Sequence, residues 1–325
     1  MNALQAFDII SLANKEGASL RRNKNQIEWQ IMVLPAMVFL LIFNILPLFG
    51  LVTAFQDFKL SLGFFNSPWA KVNGETDVFK HFKFFFSDPA VWGVIRNTLV
   101  MNILGLAINF PLPIVFALLL NEIFSTNLKK GIQTITYLPH FFSWIVFGSM
   151  FVKILNPTTG ITVAIAELFN KETIDFINEP EYFYGIAIIT SLIKGLGWNS
   201  IIYTAALTGT DISLIEYAEL EGASRWQKWK YVYIPTMLPT VVLYFVFAVG
   251  GLFASNFDQI YILKNDLNKE RAEVISTYVY NLGIGSGLFE ISYSTAVGIM
   301  QSIISIFLVL GTNWISKKLT GRGIV

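Results

Sequence analysis

Asp211 to Pro239 reads DISLIEYAELEGASRWQKWKYVYIPTMLP, a polar stretch between two apolar runs that are each long enough to cross a bilayer. Its turns are specified locally. Ser213-Leu-Ile-Glu216 has the spacing of a capping box, in which a hydroxyl accepts a backbone N–H three residues on and a carboxylate reaches back, so a short helix is expected to start there. Gly222 is placed to end it in the left-handed conformation that glycine adopts cheaply. Ser224-Arg-Trp-Gln227 is a second box, and the helix it opens carries Trp226, Trp229 and Tyr233 at helical spacing, with Arg225, Lys228 and Lys230 elsewhere, until Pro235 disturbs the ladder. Two short amphipathic helices hinged at a glycine make a compact knob.

The sequence on either side of the knob decides the class. Of 325 residues, 54% are hydrophobic, 15% aromatic and 14% charged, and the mean hydropathy is +0.56. That is too apolar for an ordinary soluble domain and predicts an all-α, polytopic membrane protein of about six transmembrane helices. A net charge of +1 argues against a nucleic-acid partner, and the absence of cysteine excludes disulfides, thiolate chemistry and cysteine-based metal sites.

Residues 1–30 are polar, with Lys15, Arg21, Arg22 and Lys24 just ahead of the first apolar run, and read as a cytoplasmic segment. Spans are expected near 31–55, 98–120, 132–155, 184–207, 237–257 and 295–315, with the knob as a coupling loop over 211–235. The first run is too long for a signal-peptide core and no small-residue cleavage site follows it, so it reads as a retained span. Pro35 and Pro47 should kink it or mark its ends, and Pro111-Leu-Pro113 should interrupt the hydrogen-bond ladder of the second span. Residues 56–96 read as an aromatic-rich external loop with a short helix around 78–86, and 156–183 as an acidic external loop. The external segment 258–294 should hold a helix over Glu270 to Leu282 and a glycine turn from Gly283 to Gly287. Gly250-Gly251 should allow close helix approach. Short basic turns, among them Lys129-Lys130 and Lys317-Lys318, share a side with the knob and place it in the cytoplasm with both termini.

Glu216-Tyr217-Ala218, then Gly222, then Val232-Tyr233-Ile234-Pro235 resembles the EAA loop of binding-protein-dependent ABC importer permeases of the maltose type. Tyr217 stands for the usual second alanine, and Val232 and Ile234 for the usual isoleucine and leucine. The resemblance runs from about Ile31 to the C-terminus. TYLPHFFSW (Thr136 to Trp144), GWNSIIYTAAL (Gly197 to Leu207) and NFDQIYIL (Asn256 to Leu263) look most like the complex-oligosaccharide permeases of the alginate and LplB type. It implies one permease subunit of an ATP-driven oligosaccharide importer in the bacterial cytoplasmic (inner) membrane. Its partners would be a second homologous permease, two ATPase subunits that carry ATP and Mg, and an extracytoplasmic solute-binding protein; no cofactor is expected in this chain. The implied ATPase-coupling residues are Glu216, Ala218, Gly222, Ala223 and Trp226. The resemblance maps sugar contacts to Gly197, Ser200, Phe253 and Asn256, and Trp198, Asn199, Tyr203 and Gln259 add the aromatic, amide and hydroxyl groups that sugars bind.

The residues themselves describe a transporter without an engine. No P-loop, HExxH or GxSxG pattern occurs, and His81 and His140 stand apart, His140 reading as a structural group at the entry to span three. The alternative is a stand-alone secondary carrier or channel, which needs ionisable groups inside the membrane; Lys194, three residues before Gly197, is the candidate. A cation in mid-span costs about 2.5–3.5 kcal/mol on the insertion scale, so Lys194 must face protein or water. Two roles are open to it: passing an anionic substrate, or a structural one, bonding backbone carbonyls freed by Gly195 and Gly197 or an acidic group on the partner permease. No paired intramembrane carboxylate and no inverted repeat supports the carrier.

Overall fold

Long apolar runs with few breakers can satisfy their backbone in lipid only as helices, and helices dominate the chain. The structure, a computed structural model, describes residues 26–27, 29–285 and 290–320. The basic cluster from Lys15 to Lys24, Gly287 of the glycine turn and Arg322 lie outside the described residues. Among those described, five helices are long and apolar enough to cross a membrane, and one bent helix pair passes the same test only when its two limbs are taken together, for up to six spans.

Span one, Trp29–Phe55, is a continuous rod whose apolar window is wholly unburied within this chain. Pro35 sits in regular helix, whereas Pro47 is accommodated by a π turn at Leu41–Ile45 and a 3-10 stretch at Leu46–Phe55. Span two, Pro89–Asn121, starts well before the expected Thr98 because Asp88 caps it. Asp88 Oδ1 accepts the Ala90 N–H at 2.9 Å, and Pro89 fills the first helical position, where its missing N–H costs nothing. The ladder breaks at Phe110, immediately before the Pro-Leu-Pro run.

Span three departs most from expectation. Instead of one helix over 132–155, Thr126–Phe141 and Trp144–Ile154 meet at 99°. Pro139 tightens Leu138–Phe141 into a 3-10 turn, Phe142 and Ser143 are extended, and Ser143 Oγ then accepts the Val146 N–H at 3.3 Å to start the second limb. We call this bend the elbow.

Span four is Pro180–Leu207, and span five, Arg225–Phe253, begins inside the knob rather than at Met237. Pro235 does not break it, because the π turn Trp229–Tyr233 widens the ladder just ahead of the proline. It stops short of Phe257, and a separate helix, Phe257–Leu263, follows. Span six, Ile291–Thr320, starts before the expected Thr295. A Cβ on Gly250 would overlap the Val309 side chain, so spans five and six do approach there, while Gly251 faces open space.

The connections hold more structure than a loop reading allows. Lys71–Val72 and Glu75–Thr76 form a hairpin turned by Asn73 and Gly74, both at positive φ, as a tight two-residue turn requires. Lys80–Ser87 is the short helix expected around 78–86, and a second, unexpected one occupies Ile161–Leu168. The single helix expected over Glu270 to Leu282 is two, Lys269–Ala272 and Ile275–Tyr280. Glu273 and Val274 are extended between them, and the Glu273 carboxylate receives Lys264 Nζ at 2.9 Å and Thr277 Oγ1 at 3.0 Å.

Candidate functional site

The knob is built almost entirely from neighbours in sequence. Its first helix, Ile212–Leu220, is capped by Asp211 and not by the expected Ser213–Glu216 box: Asp211 Oδ1 accepts the Ser213 N–H at 2.9 Å. That backbone bond holds the Asp211 carboxyl below its ordinary range. Glu216, relieved of a capping role, lies exposed on the helix surface. At the other end the Ala223 N–H donates to Ala218 O at 2.9 Å and the Gly222 N–H to Glu219 O at 3.0 Å, the paired bonds of a Schellman motif. Gly222 has φ +69°, and nothing lies within 4 Å of where its Cβ would stand, so conformation and not space demands the glycine.

The second box is complete, with the Ser224 N–H donating to Gln227 Oε1 at 2.7 Å and the Gln227 N–H to Ser224 Oγ at 3.4 Å. Lys228 Nζ meets Glu219 Oε1 at 3.2 Å and clamps the two helices. Trp226 does not share the buried face of Trp229 and Tyr233. Its ring lies beside that of Trp229, with centroids 6.2 Å apart, but it is 68% exposed, and Ile212, Leu214, Tyr217 and Leu220 are exposed with it. Below it, Tyr233 and Met237 pack with Ala117, Leu118, Tyr203 and Leu207, which roots the knob in spans two, four and five. Glu122, just past span two, accepts Trp229 Nε1–H at 3.0 Å and faces Arg225 Nε at 3.6 Å. Sequence reading missed this tether, because nothing near Glu122 in the chain names its partners.

The elbow is where span four meets span three. Lys194 is buried, and its ammonium donates to the backbone carbonyls of Pro139 at 3.1 Å, His140 at 2.9 Å and Phe142. It also lies over the rings of Trp144, at 5.3 Å, and Phe147, at 5.6 Å. The carbonyls are freed by the bend in span three rather than by Gly195 and Gly197 as expected. Gly197 instead lets span four touch span three, since a Cβ there would overlap the Thr136 carbonyl. One residue on, the Trp198 indole stacks flat on the His140 ring, with centroids 4.1 Å apart and planes 2° apart.

Between spans two, four and five lies a groove of about 680 Å³. Of the sequence candidates it gathers Trp198, Asn199 and Tyr203; Asn102, Asn109 and Tyr244 join them. Asn102 and Asn109 stand two helical turns apart on one apolar span, a polar stripe that was available to sequence reading and passed over. The remaining candidates lie elsewhere. Ser200 is fully buried and donates to Gly197 O at 2.6 Å. Phe253 packs against the cluster of Val94, Ile275 and Tyr293. Asn256 caps Phe257–Leu263 by accepting the Gln259 N–H at 3.2 Å. The Gln259 amide is held by Ala187 O at 2.6 Å and Thr190 Oγ1 at 3.0 Å. In the groove, Asn102 donates to Leu252 O at 2.8 Å, whereas Asn109 Oδ1 is buried with no partner among the described residues. An orphaned amide oxygen costs about 1–3 kcal/mol.

Residues 90–321 match the family described as binding-protein-dependent transport system inner membrane component. Two similar proteins come from Bacillus subtilis (strain 168). The polygalacturonan/rhamnogalacturonan transport system permease protein YteP is 36% identical over 294 residues, 90% of this chain and 89% of that protein. Protein LplB is 34% identical over 308 residues, 94% and 93% of the two chains. The fold matches a chain in the crystal structure of a bacterial ABC transporter involved in the import of the acidic polysaccharide alginate, with a TM-score of 0.82 and 32% identity over 92% of this chain and 98% of that one. It also matches, at 0.82 and 31% over 94% and 99%, a chain of a bacterial alginate ABC transporter in complex with alginate pentasaccharide-bound periplasmic protein.

Proposed function

This chain belongs to the binding-protein-dependent transport system inner membrane components, and we propose that it is the permease subunit of an ATP-driven importer of oligosaccharides. As a transporter component it is not an enzyme; in our reading ATP and Mg are bound by two separate ATPase subunits. A second, homologous permease completes the pathway, and an extracytoplasmic binding protein delivers the sugar, a reading supported by the periplasmic protein in the similar alginate complex. Knob and termini face the cytoplasm of a bacterial cell. A cysteine replacing Asn127 should therefore label only from the cytoplasm and one replacing Asn170 only from outside, and labelling of both from one side would overturn the orientation.

The observation that carries the reading is the knob. Ile212, Tyr217, Leu220 and Trp226 stand exposed on a Schellman-jointed hairpin whose root is buried among three spans, so a push on the hairpin reaches the groove walls through Tyr233, Met237 and Tyr203. Closure of an ATPase pair gripping two such knobs would move the spans between inward-facing and outward-facing arrangements. Glu216, Ala218, Gly222, Ala223 and Trp226 form the coupling surface, Ala218, Gly222 and Ala223 by shaping its joint. Trp198, Asn199 and Tyr203 contribute to the substrate path. The carrier alternative gains nothing from the structure, since its ionisable candidate, Lys194, is engaged by three backbone carbonyls.

The test is co-expression with the candidate second permease and ATPase. The purified complex should hydrolyse ATP faster when loaded binding protein is added. A chain that assembles with no P-loop ATPase would sink the proposal.

A further inference from the structure

Phe65 is 98% exposed, and Leu60, Leu62 and Phe64 are exposed with it, in a loop whose own bonds hold them outward. Both ends of that loop return to the end of span one: the Ala70 N–H donates to Phe55 O at 3.0 Å and the Asp57 N–H to Pro68 O at 3.0 Å. Within it Ser67 Oγ accepts the Lys59 N–H at 3.1 Å and donates to Gly63 O at 2.7 Å, and Gly63 turns at φ +68°. The apolar side chains are therefore fixed at the height where span one, unburied along its apolar window, leaves the hydrocarbon on the side away from the knob. Aromatic and apolar groups held in that layer are covered by lipid.

Behind the loop, where span one ends and span six begins, lies a pocket of about 440 Å³. Its charged lining is balanced, with the ammonium groups of Lys59 and Lys80 and the carboxylates of Asp57 and Glu290. His81 lines it too, but burial pushes its imidazole below the ordinary value, so it adds no charge at neutral pH. Asp57 and Lys80 pair at 2.7 Å, whereas no hydrogen bond or ion pair among the described residues engages the Lys59 ammonium or the Glu290 carboxylate. A free cation and a free anion in one pocket suit a ligand that carries both signs.

From loop and pocket together we propose that this corner of the chain binds a zwitterionic phospholipid of the leaflet opposite the knob. Its phosphate sits at Lys59 and Lys80, its ammonium at Glu290 and Asp57, and its acyl chains run against Leu60, Leu62 and Phe65. The site stands independently of the import reading. An anionic lipid would bring its phosphate to the same lysines but leave the Glu290 carboxylate without a cation. A soluble zwitterion would satisfy the pocket but not the loop. The lipid braces a joint the chain already makes there, since Thr53 Oγ1 donates to Thr295 Oγ1 at 3.2 Å and the Phe58 N–H to Ser292 Oγ at 3.0 Å, tying the end of the otherwise unburied span one to span six.

The test uses the delipidated permease–ATPase complex in detergent and follows its melting temperature as lipid is added. Phosphatidylethanolamine should half-saturate the stabilisation at about ten-fold lower concentration than phosphatidylglycerol with the same chains, the effect of one charge-assisted bond. Glu290→Lys should invert that preference, and Glu290→Gln, which should abolish it, serves if the lysine variant does not assemble. Glycerophosphoethanolamine, the headgroup without chains, should need about a hundred-fold more or greater. In nanodiscs, a nitroxide on Phe65→Cys, in a chain with no native cysteine and with the ATPase cysteines replaced, should collide with oxygen in preference to a water-soluble nickel chelate, and one on Asn73→Cys should do the reverse. Equal response to the two lipids, a preference unchanged in an assembled Glu290 variant, or equal binding of the chainless headgroup overturns the site. So does a Phe65 label reached mainly by nickel, or by neither reagent, the last meaning that protein covers the loop.

Discussion

The knob turns on a glycine and the elbow has one packed against its first limb, and the two are needed for opposite reasons. At Gly222 the backbone sits at φ +69° and the space around the missing Cβ is empty. At Gly197 the backbone is ordinary helix, and a Cβ would strike the Thr136 carbonyl of another span. The first glycine answers to its own neighbours, Ala218, Glu219 and Ala223. The second answers to packing, and so does Lys194 beside it, whose acceptor on Pro139 is 55 residues away. A local requirement leaves its signature in adjacent residues, while a distant one leaves only a residue type that looks out of place.

Lys194→Met should break the comparison hardest. Three carbonyls at a buried bend would lose their common donor, at a cost of about 3 kcal/mol or more. The expected outcome is a lower melting temperature for the purified complex and equal loss of uptake for acidic and neutral oligosaccharides, with Lys194→Arg partly restoring both. Loss limited to acidic sugars would place the ammonium in the substrate path instead.

Gly197→Ala comes next. The added methyl meets backbone, which cannot rotate away as a side chain could, so span four must shift from span three at about 1–3 kcal/mol. Stability should fall, and the Trp198–His140 stack should loosen with it, which single-tryptophan fluorescence would register. An alanine variant as stable as the parent would show that the two spans do not touch there in the assembled complex.

Gly222→Val reverses the pattern. Forcing a β-branched residue to positive φ costs about 1–2 kcal/mol locally, too little to unfold six spans but enough to undo the Schellman joint. Insertion and melting temperature should stay near wild type while stimulation of ATP hydrolysis by loaded binding protein falls several-fold. Gly222→Asn, which tolerates the left-handed region, should keep most of it. Wild-type stimulation in the valine variant would remove the joint from the coupling path.

These contrasts also mark how far the sequence could be read. Apolar runs located the five long helices, because lipid leaves a long apolar segment few alternatives to helix, but they missed the early starts of spans two and five at Pro89 and Arg225. The Ser224–Gln227 box and Gly222 were legible since both of their partners lie within a turn or two. Two local readings went astray through competition: Asp211, two positions ahead of Ser213, took the cap, and a π turn absorbed Pro235. The groove was harder. Ser200, Phe253 and Asn256 have the right chemistry for sugar but are engaged by Gly197 O, a Tyr293 cluster and the Gln259 N–H. Asn102 and Asn109 became candidates only when the structure placed them on the groove wall.

Glu122 ties the knob to the end of span two, and the smallest expected effect belongs to it. Its carboxylate ends span two, whose side chains wall the groove, and it receives both the Trp229 indole N–H at 3.0 Å and, at 3.6 Å, the Arg225 guanidinium of the knob. Arg225 is 76% exposed, so the charge pair is worth about 0.2–1 kcal/mol and weakens with salt. The indole bond, half-buried and charge-assisted, is the stronger of the two. Glu122→Gln keeps an acceptor for Trp229 and should hold coupling within about two-fold of wild type, a residual effect that shrinks as salt is raised. Glu122→Ala removes both contacts and should lower stimulated ATP hydrolysis by about five-fold, as the loss of one good hydrogen bond predicts. In a Trp229→Phe background the further loss from Glu122→Ala should fall back to the size seen in Glu122→Gln. If the two mutations instead add in full, Glu122 acts through some other contact, and the knob is tied to the groove by its apolar root alone.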